Sequence, residues 1–63
     1  MYITLTNEKE QIITVMLQAI LHFEDYTHPD YPEVEGKVFL SGAYLFTREN
    51  SEDIRGKIDL LNI

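Results

Sequence analysis

Cysteine is absent from all 63 residues. Disulfides and cysteine-based zinc sites are therefore excluded as supports for a chain this short. Glycine is scarce, and three isolated glycines build no phosphate-cradling loop. Basic residues are scarce too, five Lys and Arg against eleven Asp and Glu, so the basic patch that nucleic-acid binding demands is missing. No run approaches the roughly 18 apolar residues of a membrane span. Met1 is followed by Tyr-Ile-Thr-Leu-Thr, with no basic n-region and no cleavage site, so no secretory signal is read. The expectation is a cytoplasmic protein with no membrane contact and no direct nucleic-acid contact. It folds as a single small domain over residues 1–63, without repeat, linker or low-complexity segment. A domain of this size buries only about 60% of its unfolded surface, so tight packing or a self-partner must supply the rest.

What is present is acid, and it is unevenly placed. The formal net charge is −6. Residues 1–36 hold Glu8, Glu10, Glu24, Asp25, Asp30, Glu33 and Glu35 against Lys9 alone, whereas residues 37–63 are balanced. Such a field repels nucleic acid and anionic membrane and steers basic partners in. Ordinary solubility accounts for a charge of this size as well.

Residues 2–6 alternate, with Tyr2, Thr4 and Thr6 set against Ile3 and Leu5, and read as a short extended arm. Thr6 or Asn7 is a natural helix N-cap, and Asn7 with Glu10 approximates a capping box. Residues 8–25 then contain no Gly or Pro. On a helical wheel Gln11, Thr14, Gln18, His22 and Asp25 fall in a polar stripe only about 80° wide, and apolar residues fill about 240° of the remainder. A helix over roughly 7–25 therefore needs cover from more than one side, and a second copy or a target is expected to supply part of it. Ile13, Leu17 and Leu21 are the first candidates for that dimer or target surface.

Residues 27–36 read as a loop, because Pro29 and Pro32 disfavour helix before them and Gly36 permits a turn. Residues 37–47 are apolar on every side, so periodicity does not arbitrate. A helix over roughly 36–48 is preferred; the alternative is a hairpin, residues 38–46, turning at Ser41-Gly42. Asn50 or Ser51 caps a last helix over roughly 51–61, with Glu52 and Asp53 in its first turn and Gly56 weakening it. The expected fold class is mainly α, a small three-helix or helical-hairpin domain with a short extended N-terminal arm; the alternative is a small α+β domain. The expected core is Leu5, Ile12, Met16, Ala19, Ile20, Phe23, Val38, Leu45, Ile54, Ile58 and Leu61.

Little here supports catalysis. Ser41 and Ser51 are the only serines, and neither sits in a nucleophile elbow. Carboxylate pairs need a desolvated pocket to separate their pKa values, and a domain this small rarely encloses one. A helix would place His22 with Asp25, and Glu24 with His28, on shared faces, yet no recognised metal-ligand spacing is present. The chain is therefore expected not to be an enzyme and to carry no cofactor and no catalytic, cofactor-binding or metal site. Of the aromatic residues, two of Phe39, Tyr44 and Phe46 are expected in the core. Tyr26 and Tyr31, beside prolines and acids, suit an exposed contact. The expected partner-binding set is Glu24, Asp25, Tyr26, Asp30, Tyr31, Glu33 and Glu35.

In size, charge and expected helix content the chain resembles the short, acidic, cysteine-free orphan proteins encoded by bacteriophages and mobile elements. That resemblance implies an inhibitor that occludes a host or defence protein by direct contact. The sequence reading is accordingly a small acidic protein-binding module, homodimeric, with a protein partner that offers a basic surface. One alternative is a nucleic-acid mimic plugging a basic DNA- or RNA-binding groove; a small metal-dependent enzyme is the other.

Overall fold

The computed structural model describes residues 1–61 and is built from strands rather than helices. Five strands precede one helix: β1 (Tyr2–Thr6), β2 (Ile12–Met16), a single 3-10 turn (Leu17–Ala19), β3 (Ile20–Asp25), β4 (Gly36–Leu40), β5 (Ala43–Thr47) and α1 (Ser51–Leu61). β1 and β2 form an antiparallel hairpin, and β3, β4 and β5 form an antiparallel sheet in that order. The mainly α expectation is thus overturned, and with it the description as a small helical protein.

The expected helix over 7–25 is instead β2, the turn and β3. Its apolar residues were too widely spread for a helix because they belong to a period of two. Ile13 and Val15 face inward, while Ile12, Thr14 and Met16 are exposed. Five β-branched residues (Ile12, Ile13, Thr14, Val15 and Ile20) favour the pleated strand over the crowded helix turn. The polar residues of the supposed helix start serve a turn. Asn7 Oδ1 accepts the backbone N–H groups of Lys9 and Gln11, both at 2.9 Å, and Glu10 adopts φ 66° to close it. The expected helix over 36–48 is likewise absent. The hairpin alternative describes this stretch, with Gly42 at φ +75° in the turn, a conformation glycine adopts without a Cβ clash.

The two sheets face one another across a core of Ile3, Leu5, Val15, Val38 and Ile54. Ile13, Leu17, Ile20, Phe23, Leu40, Leu45, Ile58 and Leu61 pack around it. Ile12, Met16 and Ala19, expected inside, are exposed: a strand turns Ile12 and Met16 outward where a helix would have buried them, and Ala19 lies in the 3-10 turn between β2 and β3. Ile3 and Val15 occupy the interior in their place. α1 matches the expected last helix in its bounds. Asn50 Oδ1 accepts the Asp53 N–H at 2.8 Å, and Ile54 seals the core beneath it.

One corner joins the layers. The Arg48 N–H donates to the Thr6 carbonyl at 2.8 Å, and the Glu49 carboxylate accepts the Thr6 N–H at 2.9 and 3.2 Å. Among the described residues no helix is long and apolar enough to cross a membrane.

Candidate interaction face

The register of the three-stranded sheet sorts its side chains. Val38 lies opposite Phe23 on one side and Leu45 on the other, and these point to the core. Glu24 and Phe46 flank Lys37, and His22 and Tyr44 flank Phe39; these point to solvent. The ladder continues past β3, since the Tyr26 N–H donates to the Glu35 carbonyl at 3.0 Å. The outer face therefore carries His22, Glu24, Tyr26, Glu35, Lys37, Phe39, Tyr44 and Phe46.

The rings on this face touch one another. His22 stacks on Phe39 with centroids 4.1 Å apart, and Tyr26 stacks on Phe46 at 5.4 Å. His28 meets Phe46 edge-on at 4.6 Å and Tyr31 at 4.9 Å. Tyr44 meets Phe46 at 5.2 Å and is 54% exposed. At the centre sits one ammonium. Lys37 Nζ lies 4.5 Å from the Tyr44 centroid, 4.9 Å from Phe39, 5.1 Å from Tyr26 and 5.6 Å from Phe46, each within cation–π range. The expectation that two of Phe39, Tyr44 and Phe46 form the core is corrected: all three lie outside it, and their neighbours on the outer face are His22, Tyr26, His28 and Lys37.

Loop 26–35 borders this face and is pinned rather than loose. Val34 is buried, its N–H donates to the Tyr31 carbonyl, and the Glu35 N–H donates to the Thr47 carbonyl at 2.9 Å. The Asp30 N–H donates to His28 Nδ1 at 3.0 Å. Asp30, Glu33 and Glu35 are exposed along it.

Of the residues expected to bind a partner, Tyr26 and Tyr31 stand in the ring cluster, Glu24 and Glu35 on the face, and Asp30 and Glu33 on the bordering loop. Asp25 does not belong with them. Its Oδ1 accepts the Ser51 N–H at 2.8 Å, tying β3 to the start of α1. That bond foremost, then the Ser51 hydroxyl, with a smaller pull from Arg55, holds the Asp25 carboxyl below its ordinary value against a slight opposing desolvation.

Ile13 and Leu17 pack against the core, whereas Leu21 is the unpaired residue of a β-bulge between Ile20 and His22 and is 67% exposed. His22 and Asp25 no longer share a face, because residues three apart on a strand point in opposite directions. His22 instead lies 3.6 Å from Glu24. Among the described residues no three His, Asp or Glu side chains converge as metal ligands. Sequence reasoning missed Lys37, His22, His28, Phe39, Tyr44 and Phe46 as members of one surface. The alternation of Lys37 and Phe39, and of Tyr44 and Phe46, is the signal that carries them once strands are drawn. No family model, curated protein or solved structure matches the chain.

Proposed function

We propose that the protein is a binding module that docks onto a basic surface of another protein through the aromatic outer face of β3, β4 and β5 and the acidic loop 26–35. The observation that carries this reading is a ring cluster turned to solvent around a single ammonium, with Glu24, Glu35 and Asp30 at its rim. Tyr and Phe supply large contact area at interface centres. Ring faces attract Lys and Arg, and carboxylates take Arg in paired hydrogen bonds. The net charge of −6 adds long-range attraction for such a partner. In this reading the protein works by occluding what it covers, as an inhibitor does, and not by catalysis.

A second reading rests on the same face. The Tyr26–Phe46 stack lies beside Glu24 and Glu35, so flat rings and anionic groups alternate there as bases and phosphates do in a nucleic-acid strand. A groove that stacks bases and holds phosphates would accept this surface as a mimic.

The test is capture on immobilised protein by the wild type, by Tyr44→Ala and by Glu33→Gln/Glu35→Gln, with circular dichroism confirming each fold. A partner held by the wild type, lost from both variants and released between about 0.1 and about 1 M salt supports the docking reading. A partner held equally by all three overturns it. Displacement of the protein from that partner by an oligonucleotide selects the mimic, and indifference to the oligonucleotide rejects it.

A further inference from the structure

Strand β2 has a partner on one side only. Among the described residues it pairs with β1 and with no other strand. Two backbone bonds set the phase of that ladder: the Leu17 N–H donates to Met1 O at 3.1 Å, and the Asn7 N–H donates to Gln11 O at 2.9 Å. Antiparallel pairs alternate between bonded and non-bonded. Ile13 and Val15 therefore exchange their bonds with β1, and the N–H and C=O groups of Ile12, Thr14 and Met16 point away from it, to the open edge.

Edge strands ordinarily carry a lysine, a proline, a bulge or an inward charge that blocks further pairing. β2 carries none of these, and residues 11–21 contain no charged side chain. The outer face of the hairpin is uncharged as well, consisting of Tyr2, Thr4, Thr6, Ile12, Thr14 and Met16. Ile12 is 75% exposed, Tyr2 57% and Met16 44%.

We propose that a second copy of this chain occupies that edge. The two β2 strands run antiparallel about a two-fold axis at Thr14, making one sheet in the order β1-β2-β2-β1. Thr14 pairs with its counterpart, and Ile12 of each copy pairs with Met16 of the other. Every outward N–H and C=O of these residues then finds a partner. On the solvent side, Ile12 of one copy lies beside Met16 of the other, extending the Tyr2–Met16 pair already present.

Charge and symmetry select this occupant. Two chains of net charge −6 meet most cheaply where neither presents a charge, and β2 is such a place. A basic partner finds no carboxylate on it. About an axis at Thr14, Ile12 meets Met16 and Met16 meets Ile12, so the outward series of β2 is complementary to itself, as an isologous contact requires. The aromatic face lies on the other sheet and takes no part, so this pairing stands or falls apart from the docking reading.

The test is sedimentation over about 1 µM to about 1 mM protein, for the wild type, Thr14→Lys, Ile12→Lys and Tyr44→Ala. The expected result is a concentration-dependent wild-type dimer, weakened at least tenfold by either lysine and unchanged by Tyr44→Ala. A wild-type monomer throughout overturns the proposal, as does a dimer indifferent to both lysines or dissolved by Tyr44→Ala. Amide exchange of the wild type gives a reading independent of any variant's folding. The Ile12, Thr14 and Met16 amides gain protection as protein concentration rises; equal exchange at both ends of the series overturns the pairing.

Discussion

Gly36 stands where no larger residue fits. A Cβ there would meet the Glu49 backbone carbonyl and lie 2.8 Å from the Thr47 hydroxyl. Those two groups are already joined, since Thr47 Oγ1 donates to Glu49 O at 2.7 Å, and Thr47 is only 1% exposed. Overpacking of this kind typically costs about 1–3 kcal/mol. Gly36→Ala is expected to lose that much in urea denaturation, with an unchanged m-value. Asp25 acts through charge instead of space. Its folded pKa is held below the ordinary value near 3.8, chiefly by the Ser51 N–H. A carboxyl lowered in this way adds stability above its unfolded pKa and loses it as pH falls through the folded one. Asp25→Asn should therefore flatten the acid limb of a stability–pH profile below about pH 4. A limb unchanged by the substitution would show that the Ser51 contact does not persist in solution.

At the scale of elements, what was legible depended on whether local chemistry had one reading or two. α1 was legible because its cap, its acidic first turn and the Ile54, Ile58 and Leu61 face all agree. Gly56 is its one discordant residue, exposed and with nothing within 4 Å of an added Cβ. Gly56→Ala should raise stability by up to about 1 kcal/mol, seen as a higher melting temperature. Residues 11–25 misled because a run of β-branched and apolar residues satisfies helix and strand alike when polar residues are few. The wide apolar arc was itself the sign of the wrong period. Ser41-Gly42 carried the correct hairpin, but the uniformly apolar flanks concealed it. The candidate face inherited this error. Tyr26, Tyr31 and the loop acids stood out because prolines mark the loop, whereas Lys37, Phe39, Tyr44 and Phe46 form a surface only through cross-strand register, which no local pattern displays.

For the whole molecule, stability depends on keeping two thin layers together. Beyond the apolar core, the corner at Thr6, Arg48 and Glu49 fastens the hairpin to the segment between β5 and α1. The Glu49 carboxylate accepts a backbone N–H from the opposite layer, and hydrogen bonds to charged groups contribute about 1.5–3 kcal/mol. Part exposure reduces this. Glu49→Ala is expected to cost about 1 kcal/mol and to speed amide exchange at Thr6 ahead of Val38. Uniform acceleration across both residues would mean that the layers open together and that the corner is not the fastening.

The ammonium held among four rings has a magnetic consequence. Aromatic ring currents shield nuclei that lie over the ring faces, and Lys37 Nζ sits 4.5 to 5.6 Å from four ring centroids. The terminal methylene protons of Lys37 should resonate upfield of those of Lys9, whose side chain stands in solvent. A guest cation that takes the place of the ammonium would return them to their ordinary frequency. Lys37 is thus a built-in probe, and occupancy of the face can be followed by proton resonance before any partner has been labelled.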